Sequence, residues 1–160
     1  DQGYAATAEG TVGAYLEFDN KEGNRLGMPL PAGRVRVNQA GPDGSLEFIG
    51  EDLIKHTPRN ETLRIKLGES FDIVGERKQM SFVYDSAADT ITETFELSVR
   101  NRKREAAEVV VREYLYRWSA WDVTAKSHAF AKRDAQTIDF PVTIPADGEA
   151  KLTYTVRYHW

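Results

Sequence analysis

The sequence contains no cysteine, which excludes disulfides, thiolate zinc sites and a cysteine nucleophile. It also lacks any run of about 20 apolar residues, so no segment has the pattern of a membrane-spanning helix. Charge of one sign is not in large excess, because 21 Lys and Arg stand against 25 Asp and Glu, a net of -4. Nucleic-acid-binding domains usually carry a basic face, so we expect no nucleic-acid partner.

Helical periodicity is missing as well, since no stretch of about twelve residues keeps helical spacing of apolar positions without Gly or Pro. Alternation of apolar and polar residues dominates instead, as in strands with one buried face. The sequence therefore predicts an all-β fold, an antiparallel β-sandwich, immunoglobulin-like in texture, with about nine or ten short strands. We expect a flexible lead-in over residues 1–10 and a single β-sandwich domain over residues 11–160.

The most regular alternation lies in two C-terminal segments, 137–144 and 151–160, which the turn-rich link Pro145–Glu149 joins. This pattern predicts a β-hairpin. Pro141 has no N–H to donate, so its strand is expected at a sheet edge or a bulge. Because the apolar positions continue to the end of the pattern, we expect the ring of Trp160 in the core.

Two further strands have informative side chains. Three successive valines, Val109–Val111, predict a central strand that is covered on both faces. Glu93 lies an even number of residues from apolar neighbours such as Phe95, so they share a face of the strand, which we call the same parity. The Glu93 carboxylate is therefore expected to point toward the buried face. A lone carboxylate is costly there unless it is paired, and the expected cationic partners are Arg77 and Lys78 on the preceding strand.

Known catalytic, phosphate-binding and calcium-binding motifs are missing from the sequence. The three histidines, at positions 56, 128 and 159, lie far apart and give no metal-ligand spacing. We therefore predict no catalytic residues, no metal site and no cofactor.

One charged segment still admits a catalytic interpretation. Glu76-Arg77-Lys78-Gln79 interrupts a long strand pattern with four polar residues. Glu76 would act as an acid or base beside Arg77 or Lys78, and His56 would join it in a hydrolase site assembled from distant loops. The interpretation that we favour is a bulged or edge strand with a solvated run of charges.

The richest aromatic segment is 114–121, which includes Tyr116, Trp118 and Trp121. Flat aromatic rings beside hydrogen-bonding groups bind sugars, and exposed aromatic rings mark interfaces. The alternative is that these rings close the end of the sandwich core. This segment is the best candidate for a recognition surface, with another protein or a glycan as its partner.

Eight segments, in this order, carry a resemblance to a known family: Leu30–Val37, Gly44–Asp52, His56–Pro58, Phe71–Gln79, Asn101–Lys103, Trp118–Ser119, Pro145–Glu149 and Tyr154–Tyr158. They resemble the domain of unknown function 4139 family, which is similar to the C-terminal part of mucoidy-inhibitor-like bacterial proteins, and the resemblance covers roughly residues 12–160. It implies a bacterial envelope or exported protein with a further region upstream. It offers no catalytic residues, and Asn38 and Met80 depart from its usual pattern.

The sequence begins at Asp1 without a signal-peptide pattern, and we expect a processed chain or an excised fragment. The family resemblance implies a periplasmic or extracellular location. The first functional hypothesis is a non-catalytic β-sandwich module with a binding or structural role. The alternatives are the hydrolase described above and a carbohydrate-binding surface centred on Trp118 and Trp121.

Overall fold

Ten β-strands form most of the chain in a computed structural model, which describes residues 7–160. Strands make up 66% of the described residues, well above the ~20–25% of an average soluble protein, and this confirms the all-β prediction. Not all of the strands are short, because β1 has 13 residues and β4 has 24. A short 3₁₀ turn, Glu22–Asn24, follows β1. The strands are β1 (Thr7–Asp19), β2 (Gly33–Ala40), β3 (Leu46–Ile54), β4 (Thr62–Asp85), β5 (Thr90–Asn101), β6 (Ala107–Tyr114), β7 (Trp121–Lys126), β8 (Ala131–Lys132), β9 (Thr137–Ile144) and β10 (Glu149–His159).

The chain divides into two compact units, and the single domain over residues 11–160 stays a prediction. Unit 1 consists of Asp1–Thr11 and Phe71–Trp160, and unit 2 is Val12–Ser70. Both divisions fall inside strands, β1 and β4, where the composition contains no linker signal to reveal them. Residues 7–10 of the predicted lead-in belong to β1, which begins at Thr7; residues 1–6 lie outside the described residues.

Unit 1 is an antiparallel β-sandwich, as predicted. One sheet has the strand order β1-β4-β5-β10-β7 and the other β6-β9-β8. Alternate residues of β5, β9 and β10 point into the space between the sheets and are buried. At its centre the ring of Tyr154 lies 5.4 Å from Phe95 of its own sheet and 5.4 Å from Phe140 of the other. These rings supply a large share of the apolar area that holds the sheets together.

The predicted hairpin of β9 and β10 is wrong. β9 pairs with β6 and β8, whereas β10 pairs with β5 and β7, so the link between them crosses from one sheet to the other. The buried side chain of Asn101, at the end of β5, donates to the carbonyls of Glu105 and Pro145 at 2.8 and 3.1 Å. Asp147 N also donates to Lys103 O. These bonds hold the crossing link.

Strand β6 lies at the edge of its sheet and not at the centre, contrary to the prediction from Val109–Val111. It pairs with β9 on one side, and Val110 is 52% exposed on the outer face. Pro141, opposite Val110, lies beyond the two residues of β9 that pair with β8. The predicted edge or bulge for its strand is wrong, because β9 is the middle strand and pairs with β6 without a bulge; Pro141 is tolerated there because β8 does not extend to it.

Trp160 is 53% exposed, so its predicted place in the core is wrong. The sheet pairing of β10 ends at His159, and Trp160 extends past it. Its N–H donates to Asp89 O at 3.3 Å, and its ring stacks on Tyr84 with centroids 6.2 Å apart. The alternation continues in the sequence, but burial stops where strand pairing stops.

Unit 2 contains the two-stranded sheet β2-β3 with parts of β1 and β4. Gly50 permits a close approach of β3 to β4, because a Cβ there would lie 2.4 Å from Leu67 O. The fully buried side chain of Asn20 connects the loops: it donates to Met28 O and Pro58 O at 2.7 and 2.9 Å and accepts from Gly27 N at 2.9 Å.

Candidate functional site

A buried ionic cluster joins the two sheets of unit 1 around Glu113. Its carboxylate Oε2 accepts from Arg77 Nε at 2.9 Å and from the Tyr154 hydroxyl at 2.5 Å. Arg77 lies on β4 and Tyr154 on β10, whereas Glu113 comes from β6 of the opposite sheet. The Arg77 guanidinium also lies 3.8 Å above the ring of Phe95, a cation–π contact. The cluster therefore fixes the alignment of one sheet on the other.

A second buried pair lies nearer the end of the sandwich. Glu93 on β5 is fully buried, and its Oε1 accepts from Arg117 Nη2 at 2.7 Å and from Gln79 Nε2 at 2.6 Å. The predicted burial of Glu93 with a cationic partner is confirmed. The cation comes from Arg117, in the segment after β6, rather than from the expected Arg77 or Lys78. Strand parity identifies the buried face of a strand but not which segment lies opposite it.

The pKa shifts in this interior follow from burial. Burial and then the Glu113 carboxylate raise the pKa of Tyr154 well above its ordinary value. Burial and then the Glu93 carboxylate likewise raise the pKa of Tyr158. The hydrogen bond to Glu93 raises the pKa of Arg117, so this cation stays charged. Both phenols remain neutral and Tyr154 acts as a hydrogen-bond donor.

Arg117 also connects the buried pair to surrounding aromatic rings. Its guanidinium carbon lies 4.8 Å from the ring centroid of Phe82 and 5.3 Å from that of Tyr116. Phe82 points inward because a bulge between Gln79 and Ser81 shifts the register of β4 against β5. The ion pair and these ring contacts together hold the segment that follows β6 against the sheet.

The exposed aromatic surface at this end of unit 1 consists of Tyr84, Trp118 and Trp160, and we call it the aromatic end. The three side chains are 56%, 50% and 53% exposed. The rings of Tyr84 and Trp160 are nearly parallel, with an interplanar angle of 11°. Trp118 lies two residues before Ala120, whose carbonyl accepts from the N–H of His159. Exposed rings of this size commonly mark recognition surfaces.

The other two aromatic residues predicted for this surface are half-buried. Tyr116 contacts Arg117, as described above. Trp121 starts β7, its Nε1 donates to Ala135 O at 2.7 Å, and Lys132 Nζ lies 4.5 Å from its ring centroid. The Trp118 ring is therefore half exposed, whereas the Trp121 ring already contacts Ala135 and Lys132. The predicted site did not include Tyr84 or Trp160. The strand alternation predicted that Trp160 is buried in the core.

The four charged residues suggested for a hydrolase site belong to different units. His56 belongs to unit 2, where its Nδ1 accepts from Ala32 N at 3.2 Å. In unit 1, Arg77 points into the sandwich, whereas Glu76 and Lys78 occupy the opposite face of β4. Glu76 lies 3.7 Å from Arg100, and both side chains are partly exposed. The favoured interpretation, a solvated run of charges with a bulge, holds for Glu76 and Lys78 but not for Arg77.

Sequence reasoning missed Glu113, although a signal for it exists. Glu113 shares parity with Val109 and Val111 on β6, so the rule that predicted a buried Glu93 applies to it equally. A charged residue in a run of inward-facing apolar positions indicates a partner on the opposite sheet. Tyr154 gave no such signal, because a tyrosine fits an apolar row without one.

Comparison with known proteins gives no match: no family model, no curated protein and no solved structure is similar to this chain at a significant level. Within residues 7–160, no group of three His, Asp or Glu side chains is placed to hold a metal ion. None of the helical segments in the same range has the length and apolar character to cross a membrane.

Proposed function

We propose that the chain is a non-catalytic β-sandwich module of a bacterial exported or envelope-associated protein, and that it binds through the aromatic end. The observation that carries the proposal is the exposure of the stacked rings of Tyr84 and Trp160, with the half-exposed Trp118 two residues before the Ala120 carbonyl that bonds His159. Half-exposed Trp and Tyr rings are enriched where binding energy is concentrated. The resemblance to the domain of unknown function 4139 family supports the bacterial envelope location and stays a prediction.

The buried ionic groups support a binding role over a catalytic one. Glu93 and Glu113 are each bonded by an arginine and by one further side chain inside the sandwich. These bonds fix side-chain positions, whereas a general acid or base needs access to a substrate. The ionic groups therefore have structural tasks: the Glu113 cluster aligns the two sheets, and the Glu93–Arg117 pair holds the segment that carries Trp118.

The second candidate function is carbohydrate binding at the same surface. The nearly parallel rings of Tyr84 and Trp160 present flat apolar faces. We therefore move the centre of the proposed sugar-binding surface from Trp118 and Trp121 to Trp118, Tyr84 and Trp160. An immunoglobulin-like topology for unit 1 is part of the same proposal, supported by the crossing of β9 and β10 between the sheets.

Co-sedimentation with bacterial envelope fractions tests the proposal. The chain is mixed with purified peptidoglycan sacculi and, separately, with protein-containing envelope membranes, and the bound fraction is measured. We expect Trp160→Ala and Trp118→Ala to lower retention, because each removes a large exposed ring. The control is Val83→Ala, which truncates another exposed apolar residue of unit 1, 57% exposed on β4.

Two outcomes separate the candidate functions. Retention on protease-treated sacculi that depends on Trp160 identifies a glycan ligand, whereas retention that protease abolishes identifies a protein ligand. Binding that neither tryptophan substitution reduces would contradict the aromatic end as the binding surface.

A further inference from the structure

The outer edge of β6 is open within the part of the chain that the structure describes. β6 is the terminal strand in the order β6-β9-β8, and its eight residues pair with β9 without a bulge. It contains no proline, and its backbone groups on the open side form a regular row. A straight, regular edge strand of this kind is a template for pairing with another strand unless the protein blocks it.

The outward side chains of β6 form a self-complementary row. Glu108, Val110, Arg112 and Tyr114 share the outer parity, and Val110 and Tyr114 are 52% and 63% exposed. When two such strands pair antiparallel about Val110, Val110 faces Val110, and Glu108 of each copy faces Arg112 of the other. Opposite charges directly across a strand pair stabilise it, and apolar pairs do so as well.

The charges also select this register over its neighbour. Outward side chains face one another only in registers that differ by two residues, and such a shift places Val110 opposite Glu108 or Arg112 and loses both Glu108–Arg112 pairs. Arg112 already bonds Asp139 through Nε and Nη2 at 2.8 and 2.9 Å. A guanidinium has five N–H donors in a fixed plane, so it serves a second carboxylate while it keeps the first.

From these observations we propose that β6 is a homodimerisation edge: two copies of the chain pair antiparallel through β6 about Val110, and the sheets β8-β9-β6 join into one continuous six-stranded sheet. The occupant of the edge is a second copy because the row complements itself in charge. The proposal is independent of the aromatic end, which lies outside β6.

Disulfide trapping tests the register directly, because the chain has no cysteine of its own. Residues directly opposite in an antiparallel pair have Cα atoms about 4.5–5.5 Å apart, within the ~4.4–6.8 Å range of disulfides. Val110→Cys should therefore form a disulfide-linked dimer under mild oxidation. Glu108→Cys is the control on the same strand and face, since its two copies lie about 14 Å apart along the pair. Val83→Cys is an exposed control on β4.

Non-reducing electrophoresis and sedimentation velocity give the readouts. We expect a covalent dimer for Val110→Cys, monomers for both controls, and a concentration-dependent dimer of the unmodified chain. Val110→Lys should weaken that dimer by roughly tenfold or more, because like charges then meet at the two-fold axis, while Val83→Lys leaves it unchanged. An unmodified chain that stays monomeric at its highest soluble concentration overturns the proposal, as does equal cross-linking of all three cysteine variants.

Discussion

Removal of the Arg117 cation tests the energetic importance of the buried pair. Arg117→Met leaves the Glu93 carboxylate fully buried with Gln79 as its remaining hydrogen-bond donor. Breaking a buried ion pair by removing one partner typically costs about 3–5 kcal/mol, because the other charge stays desolvated. The matched control is Arg100→Met, whose partner Glu76 lies 3.7 Å away with side chains 43% and 44% exposed. Exposed pairs contribute only about 0–1 kcal/mol.

Urea denaturation followed by tryptophan fluorescence measures both variants. All three tryptophans, at positions 118, 121 and 160, belong to unit 1, so the signal reports on the unit that contains the pair. For slopes of about 1–3 kcal/mol/M, Arg117→Met should lower the urea midpoint by at least about 1 M. Adding Glu93→Gln should recover part of the loss, because no charge then remains buried. Equal, small shifts for Arg117→Met and Arg100→Met would refute the reasoning.

Three further outcomes are expected. Tyr154→Phe keeps the ring in the core but removes the hydroxyl that donates to Glu113; it should cost about 1–3 kcal/mol in urea unfolding. Asn20→Ala leaves three partly buried backbone groups of unit 2 without their side-chain partner; amide hydrogen exchange should show faster opening, by a loss of about 1–3 kcal/mol. Because burial raises the pKa of Tyr154 and Tyr158, stability should be constant below the unfolded tyrosine pKa of about 10 and fall as pH rises above it. Ultraviolet titration should show both phenols ionising only with unfolding, and ionisation of all tyrosines near pH ~10 in the folded chain would contradict this.

Strand alternation in the sequence carries most of the information about which residues form the core. Buried positions of β5 and β10, such as Phe95 and Tyr154, follow from parity alone. Parity also identified Glu93 as a buried carboxylate, and the same rule applied to β6 would have found Glu113. These predictions work because side-chain direction in a strand is a local property of the backbone.

Which strands pair with one another, and where their pairing ends, could not be predicted from the alternation. β9 and β10 alternate like a hairpin whether they pair with each other or cross between sheets, because both arrangements bury one parity. The failed prediction for Trp160 has a related cause: burial requires a strand opposite, and sequence parity does not reveal where pairing ends. The aromatic end therefore became visible only when the sheets were known.

The buried ionic groups contribute to the alignment of the sheets more than to the strength of their association. Apolar packing is non-directional, so an interior of Phe, Ile and Val alone tolerates several offsets between two sheets. The bonds of Glu113 to Arg77 and Tyr154 are all satisfied at one alignment, because their atoms come from three strands in two sheets. The bond of Glu93 to Arg117 places the segment that bears Trp118 in the same way. Since apolar replacements of whole buried pairs often preserve stability, we expect the benefit of these charges to lie in the fixed alignment of the sheets and of the segment that contains Arg117 and Trp118.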